Sequence, residues 1–208
     1  MLAEFVVGAV KRALGATGAG RIDKTGAEVV TQGHARFQEA VEQGTVYGVA
    51  NQVGVTSQAG LSATTPVLTL YNPAGSGKNL VVWYAGAVFT VAFATAGAIF
   101  VAVGTDTVAA AVTGTLTTAH RNLKLGLTSS PVARTLLAAT LPAAPVAVAL
   151  LGVGLTGAIT TSLTLPPVGR WFDGSLILIP GSNLSIQTGV ASGASGMFCE
   201  YIFEEIDA

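Results

Sequence analysis

The chain has 208 residues, of which 50% are apolar and only 10% charged, and its formal net charge is −1. A soluble domain is ordinarily about 25% charged, so either Thr, Ser, Gly and Gln supply most of the surface or partners cover much of it. The near-neutral balance offers no basic field to nucleic acid, and a single cysteine, Cys199, excludes an internal disulfide framework and fits assembly in a reducing cytoplasm.

The opening residues, 1–15, are not read as a signal peptide, because Lys11 and Arg12 interrupt the apolar run instead of preceding it. Residues 2–14 instead have the spacing of an amphipathic helix. Leu2, Phe5, Val6, Ala9, Val10 and Ala13 share one face, Glu4 suits its start and Lys11 with Arg12 its end, and Gly15 is placed to stop it. Such a helix packs on its own domain, docks as an arm on a neighbouring subunit, or lies on a membrane surface. The arm is the preferred reading. A Gly-punctuated connector follows over 15–33, then a short helix over His34–Gln43 that turns Phe37 and Val41 inward and closes at Gly44. A strand is expected over Thr45–Gln52 and a Ser/Thr/Gly-rich loop around 54–65.

From Pro66 onward the pattern is of short strands between turn residues. Strands are expected at Val67–Tyr71, Leu80–Phe93, Ala98–Val103, Arg134–Ala139, Val146–Leu151, Ser175–Ile179, Leu184–Gln187 and Phe198–Ile206. Residues 108–131 and 152–165 are not placed. In the last strand Phe198, Glu200, Ile202, Glu204 and Ile206 take one face, while Cys199, Tyr201, Phe203 and Glu205 take the other. That mixture implies an edge or an interface strand. About eight strands at this spacing make an all-β sandwich, and a jelly roll is the commonest eight-stranded form. The expected organisation is an N-terminal helical arm over 1–50 and a jelly-roll-like β-sandwich over 51–208.

Between residues 51 and 169 the only charges are Lys78, Asp106, Arg121, Lys124 and Arg134. The charge-free stretches 79–105 and 135–169 are each long enough to span a bilayer. Yet the first is rich in Val, Phe, Thr and Gly, and the second holds Pro142, Pro145, Pro166 and Pro167, so both are read as buried strands.

Motifs for chemistry are weak. Gly75-Ser76-Gly77-Lys78-Asn79 has Asn72 where a phosphate loop needs its first Gly, and Asn79 where it needs Ser or Thr, so it is read as a hairpin-like loop. Gly152-Val153-Gly154-Leu155-Thr156-Gly157 brings its third Gly one residue early and lacks a βαβ setting. The two histidines, His34 and His120, have no Cys or His at ligand spacing. His120-Arg121 is read as a surface or interface pair, and Glu200, Glu204 and Glu205 as a solvated strand end. No catalytic, cofactor-binding or metal-binding residues are assigned, and no enzyme activity is expected. Trp171, Phe172 and Asp173 have the residue types of a sugar site, although Trp171, after the two prolines, equally suits a loop anchor.

The block Thr65–Pro73, continued by Gly75–Val82, resembles a segment of virion-associated structural proteins of tailed phages. The Gly33–Gly44 stretch with Phe37-Gln38-Glu39-Ala40 and the acidic last strand Phe198–Ile206 are similar to that group as well. The resemblance implies a β-sandwich on or in the phage particle, often a trimer, and carries over no catalytic residues. The expected function is that of a capsid decoration or cement protein that binds the major capsid protein and stabilises its lattice in the virion. The alternatives are a tail, neck or fibre protein, a carbohydrate-binding β-sandwich module, and, least favoured, a small membrane protein. The expected partners are further copies of the chain, as a homo-oligomer with a trimer favoured, and the major capsid protein, with no nucleic acid, membrane or cofactor. The candidate interface residues are Leu2, Phe5, Val6, Val10, Phe37 and Trp171.

Overall fold

The structure is a computed structural model, and it describes residues 37–107, 109–117, 119–154 and 168–208. The amphipathic segment 2–14, the connector and most of the unplaced 152–165 lie outside the described residues. A six-residue helix, α1 (Gln38–Gln43), has no buried residue. Val41 is therefore only partly covered, not turned fully inward as expected. Gly44 ends the helix with φ +76°, its N–H bonded to the Val41 carbonyl at 3.0 Å, a left-handed turn that glycine adopts without Cβ strain.

Eleven strands follow: β1 (Val46–Ala50), β2 (Thr69–Asn72), β3 (Lys78–Phe89), β4 (Gly97–Thr105), β5 (Thr113–Leu116), β6 (Arg121–Asn122), β7 (Arg134–Thr140), β8 (Val146–Gly154), β9 (Val168–Leu178), β10 (Ser182–Thr188) and β11 (Met197–Asp207). They form two antiparallel sheets packed as a sandwich. The first has the order β6-β1-β11-β3-β9 and the second β5-β7-β2-β10-β4-β8. The two charge-free stretches become strands, β3 and β4 from the first, β7 and β8 from the second.

The pairing is nested. The first strand pairs with the last, β1 with β11, and inside that pair lie β2 with β10, β3 with β9 and β4 with β8. A long antiparallel ribbon has wound round itself, which is the jelly roll. Residues between β4 and β8 are an insertion, whose β5 and β7 widen the second sheet beside β2 and whose β6 widens the first beside β1.

The core between the sheets holds Leu68, Leu70, Leu80, Val82, Ile99, Val101, Leu184, Ile186, Met197, Tyr201 and Phe203, all fully buried. These positions alternate along their strands because successive side chains point to opposite faces. A second, smaller cluster of Tyr71, Val112, Leu136, Ala139 and Leu141 lies apart from it. It covers the outer face of β2, so every residue of that strand is buried. Asp106 ties the insertion down there, accepting from the Tyr71 phenol at 2.6 Å and from the Val112 N–H at 3.2 Å.

Three expectations need correction. The sandwich begins before residue 51: β1 is an internal strand of the first sheet, and the compact unit that contains it starts at Ala40. The last strand, β11, is not an edge, since it lies between β1 and β3. Its inward side chains Cys199, Tyr201 and Phe203 are buried and its outward ones partly exposed, as in any half-solvated interior strand. Finally, β9 begins at Val168, well before Ser175. Asp173 and Gly174 both have positive φ (+52° and +81°) and form a bulge opposite Trp83, so a turn-like dipeptide sits inside one continuous strand.

Candidate functional site

The first region to weigh is the outer face of the first sheet, which the strand register builds row by row. One row runs Gly169, Gly86, Glu200, Ala50 across β9, β3, β11 and β1. The next row holds Trp171, Tyr84, Ile202 and Gly48, and the row on the other side holds Val88 and Phe198. The middle row is small except for its carboxylate, so a trough runs between two taller rows. A hollow of about 290 Å³ lies in it, lined by Ala50, Asn51, Gly86, Val88, Phe198 and Glu200 among others.

Tyr84 forms one end of this trough. Its ring lies down over the paired glycines: a Cβ on Gly169 would stand 2.0 Å from the phenol oxygen, and one on Gly86 2.7 Å from it. Trp171 packs beside it with ring centroids 5.0 Å apart and planes tilted by 52°, and it remains 54% exposed. Burial, and then the charge of Glu200, raise the Tyr84 pKa, so the phenol keeps its proton at neutral pH.

The second region is the flank where the sheets' edge strands β8 and β9 meet. There a Cβ on Gly152 would lie 2.6 Å from Val168. The flank is apolar and open: Val146 is 67% exposed, Leu150 63% and Ile179 60%, with Val148, Val153 and Ile177 about half exposed. Between Val146 and Ile177–Ile179 a hollow of about 420 Å³ opens, lined also by Val103 and Leu176. No residue of β8 is charged or proline, although bulges opposite Phe100 and Ala102 twist the strand.

Other residues singled out in the sequence have structural places. The Gly75–Lys78 segment is the corner between β2 and β3, where Gly75 and Gly77 take positive φ and Lys78 pairs with Asp207 at 2.6 Å. Asn72, fully buried, donates to the carbonyls of Lys78 and Leu178 at 2.7 and 2.8 Å and accepts from Ser76 at 2.6 Å, which shapes that corner. Cys199 is buried, and burial pushes its thiol far above the ordinary value, so it is not a nucleophile at neutral pH. Glu204 and Glu205 do face opposite ways, but Glu205 is no solvated strand end: it is buried and accepts the Ala133 N–H at 2.7 Å. His120 is half-buried and its Nε2 has no hydrogen-bond partner, while Arg121 is exposed on β6. Among the described residues no three His, Cys, Asp or Glu gather into a metal-binding group, and no helix is long and apolar enough to cross a membrane.

Of the candidate interface residues, Leu2, Phe5, Val6 and Val10 lie outside the described residues. Phe37 is half-buried just before α1, and Trp171 stands on β9 in the trough wall. The structure does not bring Trp171, Phe172 and Asp173 together as one site. Phe172 turns into the core, with Arg170 over its ring at 5.6 Å, and Asp173 is in the bulge. Trp171 packs instead beside Tyr84, with Glu200 in the neighbouring row. Nothing in the sequence joins these residues, since they belong to strands distant in the chain and meet only through register.

No protein family, curated protein or solved structure matches the chain.

Proposed function

We propose that this chain is a structural jelly-roll protein of a virus particle, one that self-associates and acts by binding a larger protein lattice and not by catalysis. The observation that carries the proposal is the apolar edge strand β8, which holds no charged residue, beside the exposed Ile177 and Ile179. A free monomer guards its sheet edges with lysine, proline, inward charges or bulges; β8 has bulges but no charge or proline, and the residues it exposes are Val, Ala and Leu. Apolar surface left in water costs about 25 cal/mol per Å², and a second copy of the same chain is the partner that every molecule meets during assembly. Copies arranged about a symmetry axis bury each flank against its neighbour. The knob of Leu150 or Ile179 and the hollow beside Val146 are suited to one another in such packing.

Two further features support placement on a particle. Jelly rolls recur in capsid proteins, an argument from analogy of fold. The Thr65–Val82 block resembles virion-associated proteins of tailed phages, and that resemblance favours three copies over two. In this reading the trimer clamps several copies of the major capsid protein at once, and residues 1–36 act as an arm to a neighbour. The test is to mix the purified protein with empty capsids and sediment them. Co-sedimentation at a fixed stoichiometry and a raised capsid melting temperature are expected. Absence from heads with recovery on tails assigns the chain to the tail, neck or fibre instead.

A further inference from the structure

The second sheet has two ends, and self-association through β8 uses only one of them. The other end is β5, four residues of Thr, Gly, Thr and Leu, all exposed, which pair with β7 alone. The pair has a bulge between Thr113 and Thr115, but β5 holds no charge or proline. Its outer backbone edge is therefore one that an extended chain can join. Beside it lies a hollow of about 360 Å³, lined by Val112, Thr113, Gly114, Leu116, Arg134 and Leu136. Val112 and Leu136 are buried and make an apolar floor, while Leu116, paired opposite Leu136, stands half exposed as a wall. Arg134 is two residues from Leu136 on β7 and so shares its face.

Arg134 gives this hollow its chemistry. In a middle region so poor in charge, Lys78 pairs with Asp207 and Lys124 with Glu42, and the Asp106 carboxylate takes the Tyr71 phenol and the Val112 N–H. The exposed guanidinium of Arg134 has no hydrogen bond or ion pair among the described residues. Its planar fork of donors matches a carboxylate bidentately. We infer that the hollow and the β5 edge bind the C-terminus of an extended peptide from a protein partner, one whose last side chain is apolar. Each part of such a terminus has its counterpart: the carboxylate meets Arg134, the last side chain covers Val112, Leu116 and Leu136, and the preceding backbone runs along β5. A small inorganic anion would leave the apolar floor in water, and an apolar side chain inside a continuous chain would leave Arg134 unanswered. The site lies at the end of the sheet remote from β8, so peptide binding and self-association vary independently.

The test uses the full-length protein and fluorescence anisotropy with labelled Gly/Ser/Thr hexapeptides that end in Ala, Val, Leu or Phe. Each peptide is made with a free and with an amidated C-terminus, and hexanoate serves as competitor. At least one free-carboxylate peptide ending in Val, Leu or Phe is expected to bind more tightly than the one ending in Ala. Amidation is expected to weaken that binding about tenfold or more, the size of a lost charge-assisted hydrogen bond. Arg134→Gln should have an effect as large, and Leu116→Ser a severalfold one. Both residues are exposed, so the melting temperature and oligomeric state should stay unchanged in each variant. The inference is overturned if no peptide binds, if amidated and free peptides bind alike, if binding survives both substitutions, or if hexanoate displaces the peptide at equal concentration, which would make the site one for a free carboxylic acid.

Discussion

The phenol of Tyr201, on β11 of the first sheet, donates a 2.8 Å hydrogen bond to the carbonyl of Leu68, just before β2 of the second. Both residues are fully buried, so this bond ties the sheets together across the core, and water cannot replace it. Tyr201→Phe is expected to lower stability by about 1–3 kcal/mol, the cost of leaving a buried carbonyl unpaired. Urea unfolding measures it: the midpoint should fall with little change in slope. An unchanged midpoint would show the bond to be dispensable.

Asn72 and Lys78 border the same corner, yet substitutions at them should differ sharply. The Asn72 amide serves two carbonyls from inside the protein. Asn72→Ala should therefore cost about 3 kcal/mol by the same reasoning. Lys78 pairs with Asp207 at the surface, both side chains in water, and exposed ion pairs contribute little. Lys78→Ala should leave the thermal transition where it is, and a comparable loss in both variants would contradict this account.

Stability should fall on acidification through His120. Burial first, and then the charge of Arg121, lower its pKa below the ordinary 6.5. The unfolded chain therefore takes up the proton before the folded one. Stability is full above pH 6.5, declines as pH falls through that value, and levels off once the folded state is also protonated. His120→Gln should flatten this part of the profile, read as melting temperature between pH 8 and pH 5. A difference between wild type and variant that stays constant over that range would exclude the effect.

Charge placed on the flank should separate folding from assembly. Val148 and Leu150 are exposed on β8, so Val148→Lys with Leu150→Lys is expected to leave the circular dichroism spectrum unchanged. The proposed oligomer should dissociate to a monomer by light scattering at micromolar concentration, because a lysine on an edge strand opposes its pairing with another chain. Persistence of the oligomer would move the interface elsewhere.

What is local was legible in the sequence. Short apolar runs between turn residues located the strands β2, β4, β7, β8, β10 and β11 to within a few residues. Alternation separated the faces of β11, with Tyr201 and Phe203 inward and Glu200 and Ile202 outward, because side-chain direction in a strand repeats every two residues. The corner at Asn72–Lys78 and the stop at Gly44 followed from turn chemistry. The reading failed where a local signal had two meanings. Trp171 suited a loop anchor and a strand was expected only from Ser175, yet β9 begins at Val168 and Asp173-Gly174 is a bulge within it. Glu205 looked solvated because it is acidic and near the end of the sequence, yet it is buried and takes the N–H of Ala133, just before β7.

The sequence by itself determined that the chain is all-β, poor in charge along its middle and apolar along β8, since composition and periodicity are properties of neighbouring residues. Only the tertiary structure decided that β11 is central and β8 an edge, for strand order depends on pairings between distant segments that leave no trace in local pattern. The trough shows the same limit. Trp171, Tyr84 and Glu200 lie on three different strands, and cross-strand register alone sets them side by side, over glycines whose missing side chains give the tyrosine room to lie flat.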